Sequence, residues 1–190
     1  MRKSLILAAL LLPLALGSCA PAPTELEISF DYTIQRGPGS NQWAVWVENE
    51  DGDVVKTLFV SHFTALGRSR DGSKPERGYT YRPSCAHLWV ERADANSLSD
   101  EQLDAFTGAT PAEDGLQSYV WDFTDQDGNR VADGTYKVWI EADLHDWTIQ
   151  TWCCEVSTTG KPGVLESSLD YSQPDEKYEG MIGDVKFELK

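Results

Sequence analysis

Gly134-Thr135-Tyr136-Lys137-Val138-Trp139-Ile140-Glu141-Ala142-Asp143-Leu144 is the stretch whose reading decides the fold. Tyr136, Val138, Ile140 and Ala142 fall on one side, and Lys137, Trp139 and Glu141 on the other. A period of two belongs to a β-strand, whose successive side chains point to opposite faces; a helix would repeat every 3.6 residues. The same period runs through Leu26, Ile28, Phe30, Tyr32 and Ile34, set against Glu27, Ser29, Asp31 and Thr33, and predicts a strand with one wet face. Further strands are predicted over residues 43–47, 54–60, 116–123, 147–156 and 182–189. Turn chemistry separates them: Gly37-Pro38-Gly39, Glu50-Asp51-Gly52-Asp53 and Asp127-Gly128. Seven or so strands with regular turns define an all-β fold, an antiparallel β-sandwich built as a single domain over residues 26–190.

The middle of the chain, residues 63–115, has a different character and reads as a short helical insertion. Residues 67–83 are rich in Gly, Arg and Pro and predict a long surface loop too polar for core. A short helix is expected from Ser84 through Arg92. A second begins at Ser99, where Gln102 three residues later completes a capping box; Leu103 and Phe106 supply its apolar side, and Gly108 and Pro111 stop it.

Composition excludes partners more firmly than it names them. The 190 residues carry 16 basic and 31 acidic side chains, a formal charge of −15, which would be repelled by a nucleic-acid backbone. Arg2 and Lys3, the apolar run from Leu5 to Leu16, and Gly17-Ser18 form a secretory signal over residues 1–18, too short for a spanning helix. Leu16-Gly17-Ser18-Cys19 resembles the bacterial lipobox, which implies lipidation of Cys19; ordinary cleavage near Ala20 is the alternative. Ala20 after the cysteine is similar to the outer-membrane sorting pattern of Gram-negative bacteria, which implies the periplasmic face of that membrane. Residues 19–25 then form a tether. Without the leader the charge deepens from −15 to −17, so attachment to anionic lipid falls to acyl chains. Export into an oxidising compartment makes a disulfide the expectation, Cys85 with either Cys153 or Cys154.

The run from Trp121 to Tyr136 (WDFTDQDGNRVADGTY) resembles an Ig-like signature, that of the flagellar hook-capping protein and of an uncharacterised family of predicted periplasmic proteins. The resemblance implies that Trp121 and Tyr136 pack between two sheets of an Ig-like sandwich. Phe123 departs from it, standing where those families often carry glycine. Asp122, Asp125, Asp127 and Asp133 allow a calcium reading, but Asx-turns explain the same residues without a metal.

Asp104-Ala105-Phe106-Thr107-Gly108-Ala109-Thr110 resembles the acceptor motif of bacterial flavin transferases, Asp-x-x-(Ser/Thr)-Gly-Ala-(Ser/Thr). The resemblance implies FMN joined by a phosphoester to the hydroxyl of Thr110, with Asp104, Thr107, Gly108 and Ala109 completing the recognised segment. It implies two partners as well: a flavin transferase and a membrane redox partner. Gly108 and Ala109 leave the hydroxyl uncluttered, and Pro111 biases Thr110 towards an extended backbone. The competing explanation is helix punctuation, with Gly108 as a C-cap and Pro111 as a stop. On the flavin reading the protein is a lipid-anchored covalent FMN carrier in periplasmic electron transfer, with Trp89 or Trp121 available to shield the ring, although both read more simply as core. The alternatives are a non-catalytic binding or structural module of the envelope, and a metal-binding protein using His62, His87 and His145 with Cys153 and Cys154.

Overall fold

In the computed structural model, which describes residues 22–69 and 71–190, the alternation resolves into two facing sheets. The signal segment and Cys19 lie outside the described residues. The smaller sheet contains β1 (Leu26–Tyr32), β5 (Gly115–Trp121), β10 (Ile182–Leu189) and β8 (Gly163–Leu165), in the order β5-β1-β10-β8. The larger runs β4-β3-β2-β6-β7-β9, with β2 at Gln42–Glu48, β3 at Val54–Ser61, β4 at Thr107–Gly108, β6 at Thr135–His145, β7 at Thr148–Ser157 and β9 at Ser167–Ser172. Every pairing is antiparallel except the short parallel β3/β4 contact. The chain is thus an all-β sandwich with a small helical insertion. Thr24 and Glu25 already donate backbone N–H groups to Lys190 O, tying the start of β1 to the end of β10.

The inter-sheet core takes the apolar half of each alternating strand: Ile28 and Phe30 from β1, Trp43 and Val45 from β2, Val138 and Ile140 from β6, Phe187 from β10. Trp121 and Tyr136 meet here edge to face, ring centroids 5.1 Å apart. Phe123 joins them, fully buried, with φ +57°. A left-handed backbone at a bulky residue costs roughly 1–2 kcal/mol, so the position demands the conformation glycine supplies freely. Phe123 compensates by packing against Trp121 at 5.0 Å and beneath the Arg130 guanidinium at 4.9 Å.

The other half of β2 and β6 does not face water. The insertion lies over it as a third layer, built from α1 (His62–Leu66), α2 (Gly78–Tyr81), α3 (His87–Arg92) and α4 (Asp100–Asp104). All seven residues of β2 are buried, because both of its faces are covered. Ala44, Trp46 and Val60 from the sheet pack on Ala65, Trp89 and Leu103 from the helices. The capping box at Ser99 forms, its hydroxyl accepting from Gln102 N. Residues 67–83 lie mostly at the surface, as expected, but Gly78 and Tyr79 within the segment are buried, and Arg77 organises it. Its guanidinium donates to Tyr79 Oη at 2.7 Å, Ala95 O at 2.9 Å and Leu98 O at 2.7 Å, so one residue's N–H donors pin an otherwise exposed loop to the insertion.

The expected disulfide is also corrected: Cys85, Cys153 and Cys154 are all free. Cys85 Sγ donates to Asp143 on β6 at 3.1 Å, and Asp143 faces Ile149 across to β7. Cys153 and Cys154 lie further along β7 opposite Trp139 and Val138, roughly 13 Å away at the rise of a strand, whereas a bridge needs Cα atoms within about 7 Å.

Candidate functional site

The acceptor-like segment begins where α4 ends. Asp104 is exposed at the last turn, and its carbonyl accepts from Thr107 Oγ1 at 3.3 Å. The chain then enters β4 because Phe106 O accepts from Val60 N, and Thr107 pairs with Val60. Gly108 has a steric reason to be glycine: a Cβ there would sit 2.4 Å from the Phe59 ring. Ala109 is exposed, and Thr110 is half-buried with its Oγ1 donating to Asn41 O at 3.3 Å. The structure thus places Asp104, Thr107, Gly108, Ala109 and Thr110 along one continuous surface ribbon at the edge of the larger sheet.

Asn41 is the residue sequence reasoning missed. It adopts φ +56°, which Asn tolerates, and its side chain is tied down at both ends. Oδ1 accepts from Tyr32 Oη at 3.0 Å and Gln35 N at 2.6 Å, while Nδ2 donates to Gln35 O at 2.8 Å. The carbonyl that receives the Thr110 hydroxyl is therefore held rigidly. Its only signal in the sequence was its place after a Gly-Pro-Gly turn.

Thr110 and Ala109 border a cleft of about 650 Å³ lined also by His62, Phe63, Arg68 and Pro75. A second cleft of about 620 Å³ shares Phe63 and Arg68 with it and continues to Ser40, Gln42, Tyr81 and Arg82. Glu76 is its one acidic wall residue. Gly67, at φ +72°, lets the loop fold back so closely that a Cβ would collide with Glu76 O, which brings Arg68 and Glu76 to the same groove. Both volumes fall within the ~300–1,000 Å³ of small-molecule sites.

Beneath the insertion lies a second group of functional-looking residues, three buried carboxylates. Glu48 accepts from Trp46 Nε1 at 2.7 Å, Trp139 Nε1 at 2.9 Å and Arg92 Nη1 at 2.6 Å. Glu141 accepts from Leu88 N and Trp89 N, the first N–H groups of α3, at 3.1 and 3.0 Å. His87 Nδ1 lies 2.6 Å from Glu141 in an ion-pair contact bent away from a linear hydrogen bond; that carboxylate is the main reason the His87 pKa is raised. Asp143 Oδ2 accepts from Ser40 Oγ at 2.8 Å, Ser84 Oγ at 3.3 Å and Cys85 Sγ at 3.1 Å. Burial raises the Asp143 pKa, and burial with that neighbouring carboxylate raises the Cys85 thiol's. These carboxylates anchor helices and loops; the protein supplies donors to Glu48, Glu141 and Asp143 Oδ2, while the buried Asp143 Oδ1 has no partner among the described residues.

The metal alternative loses its ligand set. His62 opens α1 at the surface, His87 contacts Glu141, and His145 stacks on Tyr178 at 4.5 Å. Cys153 and Cys154 point to opposite faces of β7, and burial pushes their thiols up to about 11 and about 12, away from the thiolate a metal needs. Among the described residues no three His, Cys, Asp or Glu side chains converge. Asp125 Oδ1 accepts from Asp127 N at 3.0 Å and Asn129 N at 2.8 Å, an Asx-turn arrangement, and Asp122 Oδ1 accepts from Thr124 Oγ1 and Lys56 Nζ. Trp89 and Trp121 are core residues, as their simpler reading has it: both are completely buried, one under the insertion and one between the sheets, so neither shields a ring at Thr110.

A profile of the family of predicted periplasmic proteins DUF2271 matches residues 25–169, well over half of the chain. The chain belongs to this family. The match begins one residue before β1 and ends within β9, so it takes in the insertion, the Thr110 ribbon and both clefts, and leaves out β10. Membership in DUF2271 makes the chain a predicted periplasmic protein, in keeping with the export expected from the sequence. No curated protein and no solved structure matches this DUF2271 chain.

Proposed function

We propose that this protein is a covalent FMN carrier of the periplasm, lipid-anchored through Cys19 at the outer membrane, with the flavin esterified to Thr110. The observation that carries the reading is the setting of Thr110. It is a surface hydroxyl on an edge ribbon, oriented by a fixed carbonyl and bordering a groove of small-molecule size. The donor set suits a phosphoester. Arg68 lies in the same cleft, is exposed, and makes no ion pair among the described residues, so its charge is available to compensate a phosphate.

In the attachment step the Thr110 hydroxyl gives its proton to a base of the transferase, and Oγ1 bonds to the FMN phosphorus of an activated donor, a flavin nucleotide carried as a mixed pyrophosphate; the pyrophosphate P–O bond breaks and the second nucleoside monophosphate leaves. The flavin transferase supplies the catalysis; this chain presents the acceptor. Asn41 O, by accepting the hydroxyl proton, turns the Oγ1 lone pairs outward, and Gly108 keeps the ribbon pressed on Phe59 so that residues 109–110 stand clear. Bound FMN supplies reversible electron transfer, and a covalent link keeps it from being lost outside the cytoplasm.

Intact mass of protein co-produced with a flavin transferase tests the reading. An FMN-sized increase that disappears in Thr110→Ala is the expected result; no increase, or one that survives the substitution, overturns it. Cys19→Ser is expected to release the protein from the membrane fraction.

A further inference from the structure

We infer that the two clefts flanking Phe63 form one seat for the flavin, in which Arg68 holds the phosphoester and Tyr81 faces the isoalloxazine. The inference rests on the carrier reading and deepens it, because attachment alone does not say whether the ring is held or swings free.

Three observations join the clefts. Phe63 and Arg68 wall both. Thr110 Oγ1 contacts Asn41, which stands between Ser40 and Gln42, and both of those line the second cleft. Tyr81 lies in that second cleft and remains 68% exposed, so its aromatic face is open to a ring lying in the groove. A groove starting at the attachment atom therefore leads past a cation to an open ring.

Charge distribution agrees. Residues 67–83 carry five basic and two acidic side chains, while the whole chain carries 16 and 31. Arg77 is spent inside the insertion, and Lys74 pairs with Asp100. Arg68 and Arg82 remain in the groove, Arg82 within 3.5 Å of Asp146. Arg68 and Arg82 against the single Glu76, on an otherwise acidic protein, suit a ligand that is anionic at its phosphate. The walls discriminate the two ends of that ligand. Arg68 lies beside Thr110, where the phosphorus must be, whereas Ser40, Gln42, Tyr81 and Arg82 form the end where a ring system needs stacking and polar edges.

The test uses the full chain loaded by co-production with a flavin transferase, and reads the flavin's fluorescence intensity and anisotropy after intact mass has established loading. A seated flavin is quenched by the tyrosine and tumbles with the protein. Tyr81→Leu is expected to raise emission several-fold, and Arg68→Gln to lower anisotropy. Tyr171→Leu, on β9 at the opposite edge of the larger sheet, is expected to change neither. Tyr81 and Arg68 are both exposed, so neither substitution threatens folding. Loaded parent protein with the emission and anisotropy of a freely rotating flavin overturns the seat while leaving attachment intact; so does a Tyr81→Leu variant with unchanged emission. Absence of the FMN mass increase overturns the carrier reading, and the seat falls with it.

Discussion

Replacing Glu141 with Ala should cost this domain a large share of its stability, because one carboxylate on β6 serves as the missing cap of α3. The residue before that helix, Ala86, has φ +48° and offers no side-chain acceptor, so the N–H groups of Leu88 and Trp89 turn to Glu141 instead. Glu141 is completely buried, and truncation leaves the buried Trp89 N–H and the part-buried Leu88 N–H without acceptors. Each orphaned donor costs about 1–3 kcal/mol, and loss of one side of a buried charged contact about 3–5 kcal/mol in all. For a domain of this size that corresponds to roughly 6–20 °C in Tm, read by differential scanning calorimetry. Glu141→Gln keeps one acceptor oxygen and should cost less, about 1–3 kcal/mol.

The same carboxylate predicts a pH signature. The folded pKa of His87 is raised, first by Glu141 and further by Glu91 and Asp143. A raised folded value means that the contribution is fully present below the unfolded pKa near ~6.5 and is lost as pH rises through the folded value. Parent protein should therefore lose Tm as pH climbs above ~6.5, and Glu141→Gln should flatten that slope. A Glu141→Ala variant within about 3 °C of the parent, or a slope unchanged in Glu141→Gln, would refute the capping argument.

Phe123→Ala should be more destabilising than Phe123→Gly by about 1 kcal/mol, since both lose the packing but only glycine accepts φ +57° without strain; equal Tm values would remove the strain from the account. Arg92→Ala leaves Glu48 buried with only its two indole donors and should cost about 2–3 kcal/mol, below the full range because Arg92 is itself a third exposed. Chemical denaturation measures it. Burial raises the folded pKa of Asp143, so its contribution is present below the unfolded value near ~3.9 and is lost as pH rises. The Tm difference between Asp143→Asn and the parent should therefore move in the variant's favour between about pH 3.5 and pH 7, and a difference independent of pH would contradict it.

β1 and β6 were legible because one face of each lies on the inter-sheet core, which imposes period two, whereas β2, buried on both faces, was read from its apolar run and the turns that bound it. β9 was not, since it is an edge strand whose residues, from Ser167 to Ser172, are nearly all exposed, so no pattern is written into it. β4 is two residues held by β3 and carries no signal of its own. Alternation in β6 separated Glu141 and Asp143 from the core face, but could not say that an insertion covers them; a carboxylate under helix N–H groups looks, in sequence, like one in water. The candidate site divides the same way. Residues 104–110 form a contiguous string and could be read directly. The groove beside it is assembled from Ser40 and Gln42, from Phe63 and Arg68, and from Tyr81 and Arg82, three segments whose meeting depends on how the loop after α1 folds back.

The backbone bonds from Thr24 and Glu25 to Lys190 give the molecule a direction. They fix both ends of the described chain at one pole of the sandwich, where Leu26 faces Leu189 and Trp121. Thr110 belongs to the other pole, reached through Asn41 from Tyr32 at the far end of β1, seven residues and roughly 20 Å away. On the proposed anchoring through Cys19, Thr110 would sit at the pole away from the attachment, and a partner reaching that hydroxyl would come from the open compartment rather than from the surface behind it.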